Sequence, residues 1–129
     1  MALAYPPFKS CPCGSGRSYA HCCGPAHDGS RPAASPEILM RARYSAYALR
    51  NAAFVLDTWH PDTRPARLHL EDGTKYTGLT VHSAENEEVV FTATLRQSGE
   101  TLRIHERSAF TRLAGRWVYV DEIIPPTVD

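Results

Sequence analysis

Lysine is scarce in this chain, and no charge of either sign is in excess. Two lysines stand against twelve arginines, and the 14 basic residues are balanced by 14 acidic ones. A neutral chain lacks the broad positive field that draws proteins to nucleic acid, so such a partner is not expected. No apolar run approaches the ~20 residues of a membrane-spanning helix, so no membrane contact is expected either.

A secretory signal is also missing. Residues 1–10 are short, contain proline and lack a long apolar run, whereas a signal peptide needs one. We therefore expect a cytoplasmic protein with reduced thiols. The 129 residues, of which 43% are hydrophobic, are enough for one ordinary domain with a small appendage.

Cysteine is absent outside one short window. Cys11 and Cys13 are followed, after eight residues, by the adjacent pair Cys22 and Cys23. This spacing suits one tetrahedral zinc held by two thiolates from each arm, with no open position for substrate. Neighbouring cysteines bridge poorly, but disulfides between the arms, free thiols or a redox site are alternatives. The reducing compartment favours structural zinc.

The segment around the cysteines has no apolar core of its own, so the metal would have to fold it. Gly14 and Gly16 permit the backbone angles of a tight metal-binding loop. We divide the chain into a tail with a zinc knuckle (1–25), a linker rich in helix breakers (26–36) and a main domain (37–129). The breakers predict that knuckle and domain fold separately.

The main domain reads as helices followed by an antiparallel meander, which is an α+β layout. Ser35 and Pro36 form a helix start. The hydrophobic periodicities predict helices from there to about Arg50 and over Ala52–Thr58, and strands over Thr77–Ala84, Val89–Arg96, Leu102–Leu113 and Trp117–Ile124, the last stopped by Pro125 and Pro126.

The third strand places a carboxylate among apolar side chains. Glu106 shares a face with Leu102, Ile104, Ser108 and Phe110 by the two-residue period. A buried carboxylate must be paired, neutralised or functional. We predict an ion pair with an arginine of the first helix or hydrogen bonds to its tyrosines; a ligand-binding or acid–base role, or a bulge that turns the strand over, are alternatives. The candidate partners are Arg41, Arg43, Tyr44 and Tyr47.

Three further residues are candidates for lining a pocket. Trp59 and His60 follow the second helix, and Tyr119 lies on the last strand. Core packing for the tryptophan and a structural hydrogen bond for the histidine are the simpler interpretations. No Ser-His-Asp set, phosphate loop or carboxylate pair stands out, so catalysis is uncertain and binding is favoured.

Five stretches of the chain carry two family resemblances. The run from Cys11 to Gly24 resembles the SEC-C motif. Leu39–Ala48, Thr58–Pro61, Glu106–Phe110 and Gly115–Asp121 resemble the YchJ family of bacterial proteins. The resemblance implies a nuclear-transport-factor-2-like domain, in which a curved antiparallel sheet wraps around helices and leaves a conical cavity.

These observations leave two functions in competition. We favour a binding or adaptor module that meets a protein partner through its zinc knuckle. The alternative is a small enzyme or small-ligand binder that uses the cone around Glu106. The two hypotheses differ in what they predict for the conical cavity. An open pocket around Glu106 supports the enzyme or ligand binder, whereas a filled core supports the adaptor. A nucleic-acid role through local arginines is a weaker third hypothesis.

Overall fold

The fold is a helical layer packed on one face of an open four-stranded sheet. The computed structural model describes residues 4–124. A 3₁₀ turn over Tyr19–His21 precedes helices α1 (Gly24–His27), α2 (Pro36–Ala48) and α3 (Ala52–Asp57), and the strands are β1 (Lys75–Glu85), β2 (Glu88–Gln97), β3 (Glu100–Leu113) and β4 (Arg116–Glu122). This confirms the α+β class and the nuclear-transport-factor-2-like architecture.

Both predicted helices are confirmed, with local signals that fix their ends. The Ser35 side chain accepts a hydrogen bond from the Ile38 amide, which caps the start of α2. The helix ends at Ala48, slightly before the predicted Arg50, because Arg50 adopts a positive φ of 62° and turns the chain. Within residues 4–124, no helix combines the length and hydropathy needed to cross a bilayer.

The sheet is a simple meander in the order β1-β2-β3-β4 with antiparallel neighbours. Each strand begins and ends within two residues of its predicted bounds. The hairpins turn through Asn86–Glu87, Ser98–Gly99 and Ala114–Gly115, all with positive φ, as two-residue type I′ turns require. Pro125 and Pro126, predicted to stop the last strand, lie outside the described residues.

The core of the main domain lies between β2 and α2. Buried and half-buried residues alternate along β2, and the buried set faces the helix as the two-residue period predicts. Register shifts interrupt β1 and the pairing of β3 with β4, and such bulges bend a sheet. The buried β2 residues are Val89, Phe91, Ala93 and Leu95.

The zinc-knuckle segment packs into the same core instead of standing apart. Cys11, Cys13 and Cys23 belong to one buried cluster with residues of α2 and β2. Helix α1 also runs across the predicted boundary at residue 25 into the predicted linker. The expectation of separate folding therefore does not match the packing, while the boundaries at 25 and 36 stay predictions.

Candidate metal centre and cavity

The knuckle backbone is a tight loop closed at its base. Ser10 and Ser18 form an antiparallel bridge, and the Cys11 amide donates to the Arg17 carbonyl at 2.8 Å. Gly14 and Gly16 adopt φ of 78° and 87°, the left-handed region that the sequence analysis expected of them. This path turns both cysteine arms toward one point.

The four sulfur atoms converge on a space of metal size. All lie within 4.8 Å of one another, with Cys13 Sγ 3.5 Å from Cys22 Sγ and Cys22 Sγ 4.0 Å from Cys23 Sγ. A tetrahedron with metal–sulfur bonds of ~2.3 Å has edges of ~3.8 Å. All four thiols are free, and only Cys22 is more than slightly exposed. The cluster can hold one four-coordinate metal ion.

The surroundings of the sulfur atoms shift the pKa values of two of the thiols in opposite directions. Hydrogen bonds from Cys11 and Cys23 lower the pKa of the Cys13 thiol well below its usual range. Hydrogen bonds with Cys11 and Cys13, together with burial, raise the pKa of Cys23. A cation that bound here would displace the remaining protons, so metal binding and deprotonation are coupled.

Helix α2 supplies groups around the sulfurs that sequence reasoning missed. The buried Ser45 hydroxyl donates to Cys23 Sγ at 3.3 Å and lies 3.5 Å from Cys11 Sγ. Arg41 Nη1 is 3.4 Å from the Cys13 carbonyl oxygen, to which it donates. Groups of this kind orient metal ligands and tune their affinity. A serine inside an otherwise apolar helix face was the available signal.

His27 is a second residue that connects the knuckle to the helices. The sequence analysis did not identify it, because residues 26–36 were assigned to a linker. Its Nε2 donates to the Ala42 carbonyl at 2.7 Å, so its Nδ1 accepts from the Tyr19 hydroxyl at 2.6 Å. The ring packs on Phe54 with centroids 4.7 Å apart. Burial lowers the pKa of His27, which keeps the ring neutral between knuckle and helices.

A cavity of about 270 Å³ lies between α2 and the sheet. Seven of the eight predicted pocket residues line it. His60 does not: its amide donates to the Tyr119 carbonyl, and its ring accepts from the Asp62 amide. The seven are Arg43, Tyr44, Tyr47, Trp59, Glu106, Ser108 and Tyr119.

The rest of the cavity wall is apolar, and sequence reasoning did not assign it to a site. The two-residue period placed Phe91, Ala93 and Leu95 on one face of the second strand, and Phe110 on the face of Glu106, without assigning them to a pocket. Ile104, which was expected to face the helices, lines the cavity with 43% of its surface exposed. The remaining apolar and aromatic lining residues are Met40, Tyr76, Phe91, Ala93, Leu95 and Phe110.

Arg43 brings a buried positive charge to the cavity. Only 5% of the residue is exposed. Its Nη1 donates to the Val55 carbonyl at 2.7 Å and to Thr58 Oγ1 at 2.8 Å. The guanidinium carbon lies 5.0 Å from the Trp59 ring centroid and 4.5 Å from that of Tyr119. Burial lowers the pKa of Arg43 to about 10, so it remains charged at neutral pH.

Glu106 faces the same cavity, but its predicted partners are wrong. Its Oε2 accepts from Ser108 Oγ at 2.5 Å and from the Tyr119 hydroxyl at 3.4 Å. Arg43 is held by Val55 and Thr58 instead, and Arg41 turns to Glu37 and the knuckle. Because burial outweighs these hydrogen bonds, the pKa of Glu106 is raised. The carboxyl is bound to the sheet and forms no bridge to the helix.

One buried polar group of a lining residue, the indole N–H of Trp59, has no hydrogen-bond partner among residues 4–124. Such orphaned groups are uncommon inside proteins and call for water or a ligand. The cavity therefore combines apolar walls with a few polar groups, which is the usual composition of a small-molecule site.

Two family models match this arrangement of knuckle and domain. The model for the SEC-C motif covers residues 9–25, and the model described as YchJ, middle NTF2-like domain, covers residues 35–122. This chain belongs to the YchJ family. The resemblance drawn from the sequence is therefore confirmed.

Relatives and solved structures agree with the family assignment. A UPF0225 protein of Deinococcus radiodurans is 60% identical over 118 residues, which is 91% of both chains. A UPF0225 protein of Xanthomonas oryzae is 49% identical over 89% of this chain and 95% of its own. The solution structure of a SEC-C motif containing protein from Rhodopseudomonas palustris has a TM-score of 0.78 at 36% identity, covering 90% of this chain and 98% of its own.

Proposed function

We propose that this YchJ-family protein binds a small molecule in the cavity between α2 and the sheet, and that zinc at the four cysteines maintains the fold around it. The observation that carries the proposal is the open cavity around Glu106 and Arg43. A filled core there would have favoured the adaptor hypothesis. A protein partner for the knuckle stays a prediction.

Zinc is the proposed metal because four thiolates in a tetrahedral, largely buried cluster are its typical structural site. When all four cysteines bind, no position is left for substrate, so the ion would supply folding free energy and no chemistry. Cys11 and Cys23 lie against Ser45 of α2. The ion would therefore stabilise the helix whose other side lines the cavity.

Binding is favoured over catalysis by the sparse set of reactive groups. Among the described residues that line the cavity, Glu106 is the one carboxyl, and its Oε2 already accepts two hydrogen bonds. The cavity is slightly below the ~300–1,000 Å³ usual for ligand sites. It suits a molecule the size of one aromatic ring with a small polar group.

Small aromatic probes test this proposal. We expect benzoate, benzamide or benzylamine, titrated into ¹⁵N-labelled zinc-loaded full-length protein, to shift the amides of Phe91, Ala93 and Phe110. Ala93→Leu should fill the cavity and abolish these shifts. Ala84→Leu is the matched control, because Ala84 is an exposed strand residue outside the cavity.

The outcome that overturns the proposal is the absence of saturable shifts at the cavity with all three probes. Shifts that survive unchanged in Ala93→Leu would overturn it as well, because the probes would then bind elsewhere. Elemental analysis of the same samples tests the metal: less than half an equivalent of zinc in reduced, unchelated protein would contradict the structural zinc.

A further inference from the structure

We propose that the ligand of this cavity is a small organic acid, held by its carboxylate on the free edge of Arg43 with its apolar body against the sheet. This inference rests on the proposed binding function and names its ligand class. It is carried by the hydrogen bonding of Arg43, by the donors left over around the cavity and by the charge balance of the wall.

The guanidinium of Arg43 has one occupied end and one unoccupied edge. Both of its described hydrogen bonds, to Val55 and Thr58, start at Nη1. The group carries five N–H donors, so the three on Nε and Nη2 have no partner within residues 4–124. These two nitrogens form the edge that grips a carboxylate with two parallel hydrogen bonds.

Two aromatic rings lie against the guanidinium of Arg43. The rings of Trp59 and Tyr119 lie near the guanidinium at 5.0 and 4.5 Å, and cations stack on aromatic faces at such distances. The two ring centroids are only 5.1 Å apart, so both rings lie on the same side of the guanidinium. A flat carboxylate can meet the unoccupied edge in the plane of the guanidinium with both oxygens at once.

The buried charge of Arg43 is attracted by Glu106 but forms no direct ion pair with a described residue. No carboxylate lies within ion-pair distance of it in the described part of the chain, and Glu106 is hydrogen-bonded to Ser108 and Tyr119 instead. An unpaired buried charge is costly, and a bound anion would remove that cost. The pKa of Glu106 is raised by burial, so this carboxyl can take up a proton and relieve its repulsion of a bound acid.

A second unpaired donor lies beside Arg43 at the cavity. The buried Trp59 N–H has no hydrogen-bond partner among residues 4–124 and needs an acceptor. A carboxylate has two oxygens with about four lone-pair sites, whereas an amine ligand would add further donors. The apolar body of the acid would lie against Phe91, Leu95 and Phe110.

A charge series on one ring tests the ligand class. Benzoate, benzamide and benzylamine share the ring and differ in the polar group. We expect benzoate to bind zinc-loaded full-length protein at least about tenfold more tightly than benzamide, because hydrogen bonds to charged groups are the stronger ones, and benzylamine to bind most weakly. Benzoate should also move the Arg43 Nε–H resonance of the wild type, a readout that needs no variant.

Two variants test whether Arg43 is the residue that gives the preference for benzoate. Arg43→Lys keeps the charge but loses the two-nitrogen edge, so benzoate affinity should fall about tenfold while benzamide affinity changes little. Arg107→Lys, on β3 but exposed and paired with Glu88 outside the cavity, is the matched control and should leave both affinities unchanged. If Arg43→Lys fails to fold, the Nε–H shift in the wild type decides.

The results separate the two claims. Equal binding of benzoate and benzamide at the cavity, or no movement of the Arg43 Nε–H resonance, overturns the acid and leaves the binding function standing. The absence of cavity binding by every probe overturns both. A preference for benzoate that moves Arg43 and is lost in Arg43→Lys supports the proposed ligand.

Discussion

The knuckle and the sheet are stabilised by different means. The sheet, from Lys75 to Glu122, is three tight hairpins whose apolar face packs on α2. The knuckle has only a 3₁₀ turn and a four-residue helix, and sulfur atoms make up the centre of its interior. Hydrophobic burial can stabilise the sheet, whereas the knuckle depends on its cysteines and the ion they can hold.

Helix α2 joins these regions because it has two functional faces. Met40, Arg43, Tyr44 and Tyr47 follow the i, i+3, i+4, i+7 spacing of one helix stripe, and all four line the cavity. On another side, the Ala42 carbonyl and the Ser45 hydroxyl meet His27 and the cysteines. The cysteine cluster and the cavity therefore both lie against a single helix.

Removal of the metal should have the largest effect. Cys13→Ser, or chelation of the wild type, should lower the free energy of unfolding of the whole chain by at least about 3 kcal/mol, since structural zinc contributes about 10–16 kcal/mol in isolated fingers. Hydrogen exchange should increase first in α2, because Leu39, Ala42 and Ser45 lose their packing. Thermal midpoints with and without chelator measure the change.

The opposite result would support the prediction from the sequence that the knuckle and the main domain fold separately. If Cys13→Ser left the thermal midpoint of the sheet unchanged and only amides 10–27 broadened, the knuckle would be an independent unit. Ala34→Ser, in the exposed segment before α2, controls for nonspecific changes near the knuckle and should leave amides 10–27 sharp.

Local signals were sufficient to predict most of the fold. The Ser35–Pro36 start, the two-residue period of β2 and the turn residues between strands determine the elements whatever packs on them. Contacts between distant segments were not readable in this way. The breakers of residues 26–36 suggested a free linker, but the hydrogen bonds of His27 to Tyr19 and Ala42 anchor its start to the helices.

The sequence predicted the cysteine cluster more completely than it predicted the cavity. Four clustered cysteines predict a site that could hold a metal, and the structure brings their sulfurs together. Ser45, which touches Cys23 from 22 residues further along the chain, was not predictable in this way. For the cavity, strand alternation placed Glu106 on the correct face. The predicted partner of Glu106 was wrong. Whether its carboxyl meets Arg43 or Tyr119 depends on distances across the fold, and the two-residue period of a strand does not determine those distances.

A smaller effect is expected from the serines that touch sulfur. Ser45→Ala should weaken metal binding by about tenfold, the lower end of the range for groups that support metal ligands, because its hydroxyl contacts two cysteines from a fully buried position. Ser15→Ala is the matched control: Ser15 lies on the knuckle itself in an exposed position, with its hydroxyl 3.1 Å from Cys22 Sγ and accepting from the Arg17 amide. Chelator competition measures both. Equal losses would contradict the coupling of the knuckle to α2.

The smallest effect is expected at Glu106, and its sign distinguishes a cavity acid from a structural ion pair. Burial raises the pKa of this carboxyl in the folded state. Its stabilising contribution is therefore complete below the unfolded pKa of about 4.3 and is lost as pH rises through the folded value. Glu106→Gln keeps an acceptor for Ser108 and Tyr119 and does not titrate.

At pH 7, Glu106→Gln should therefore raise the free energy of unfolding by up to about 1 kcal/mol, as substitutions at strained functional sites often do. The gain over wild type should shrink toward zero as pH falls below about 4. Urea midpoints at matched metal load measure it, so that acid release of the metal cancels. Glu88→Gln, which breaks the exposed pair with Arg107, should give no gain. A lower midpoint for Glu106→Gln at pH 7 would instead show that the carboxylate is paired, as the ion-pair hypothesis requires, and would remove the acid-relieving role proposed for it beside Arg43.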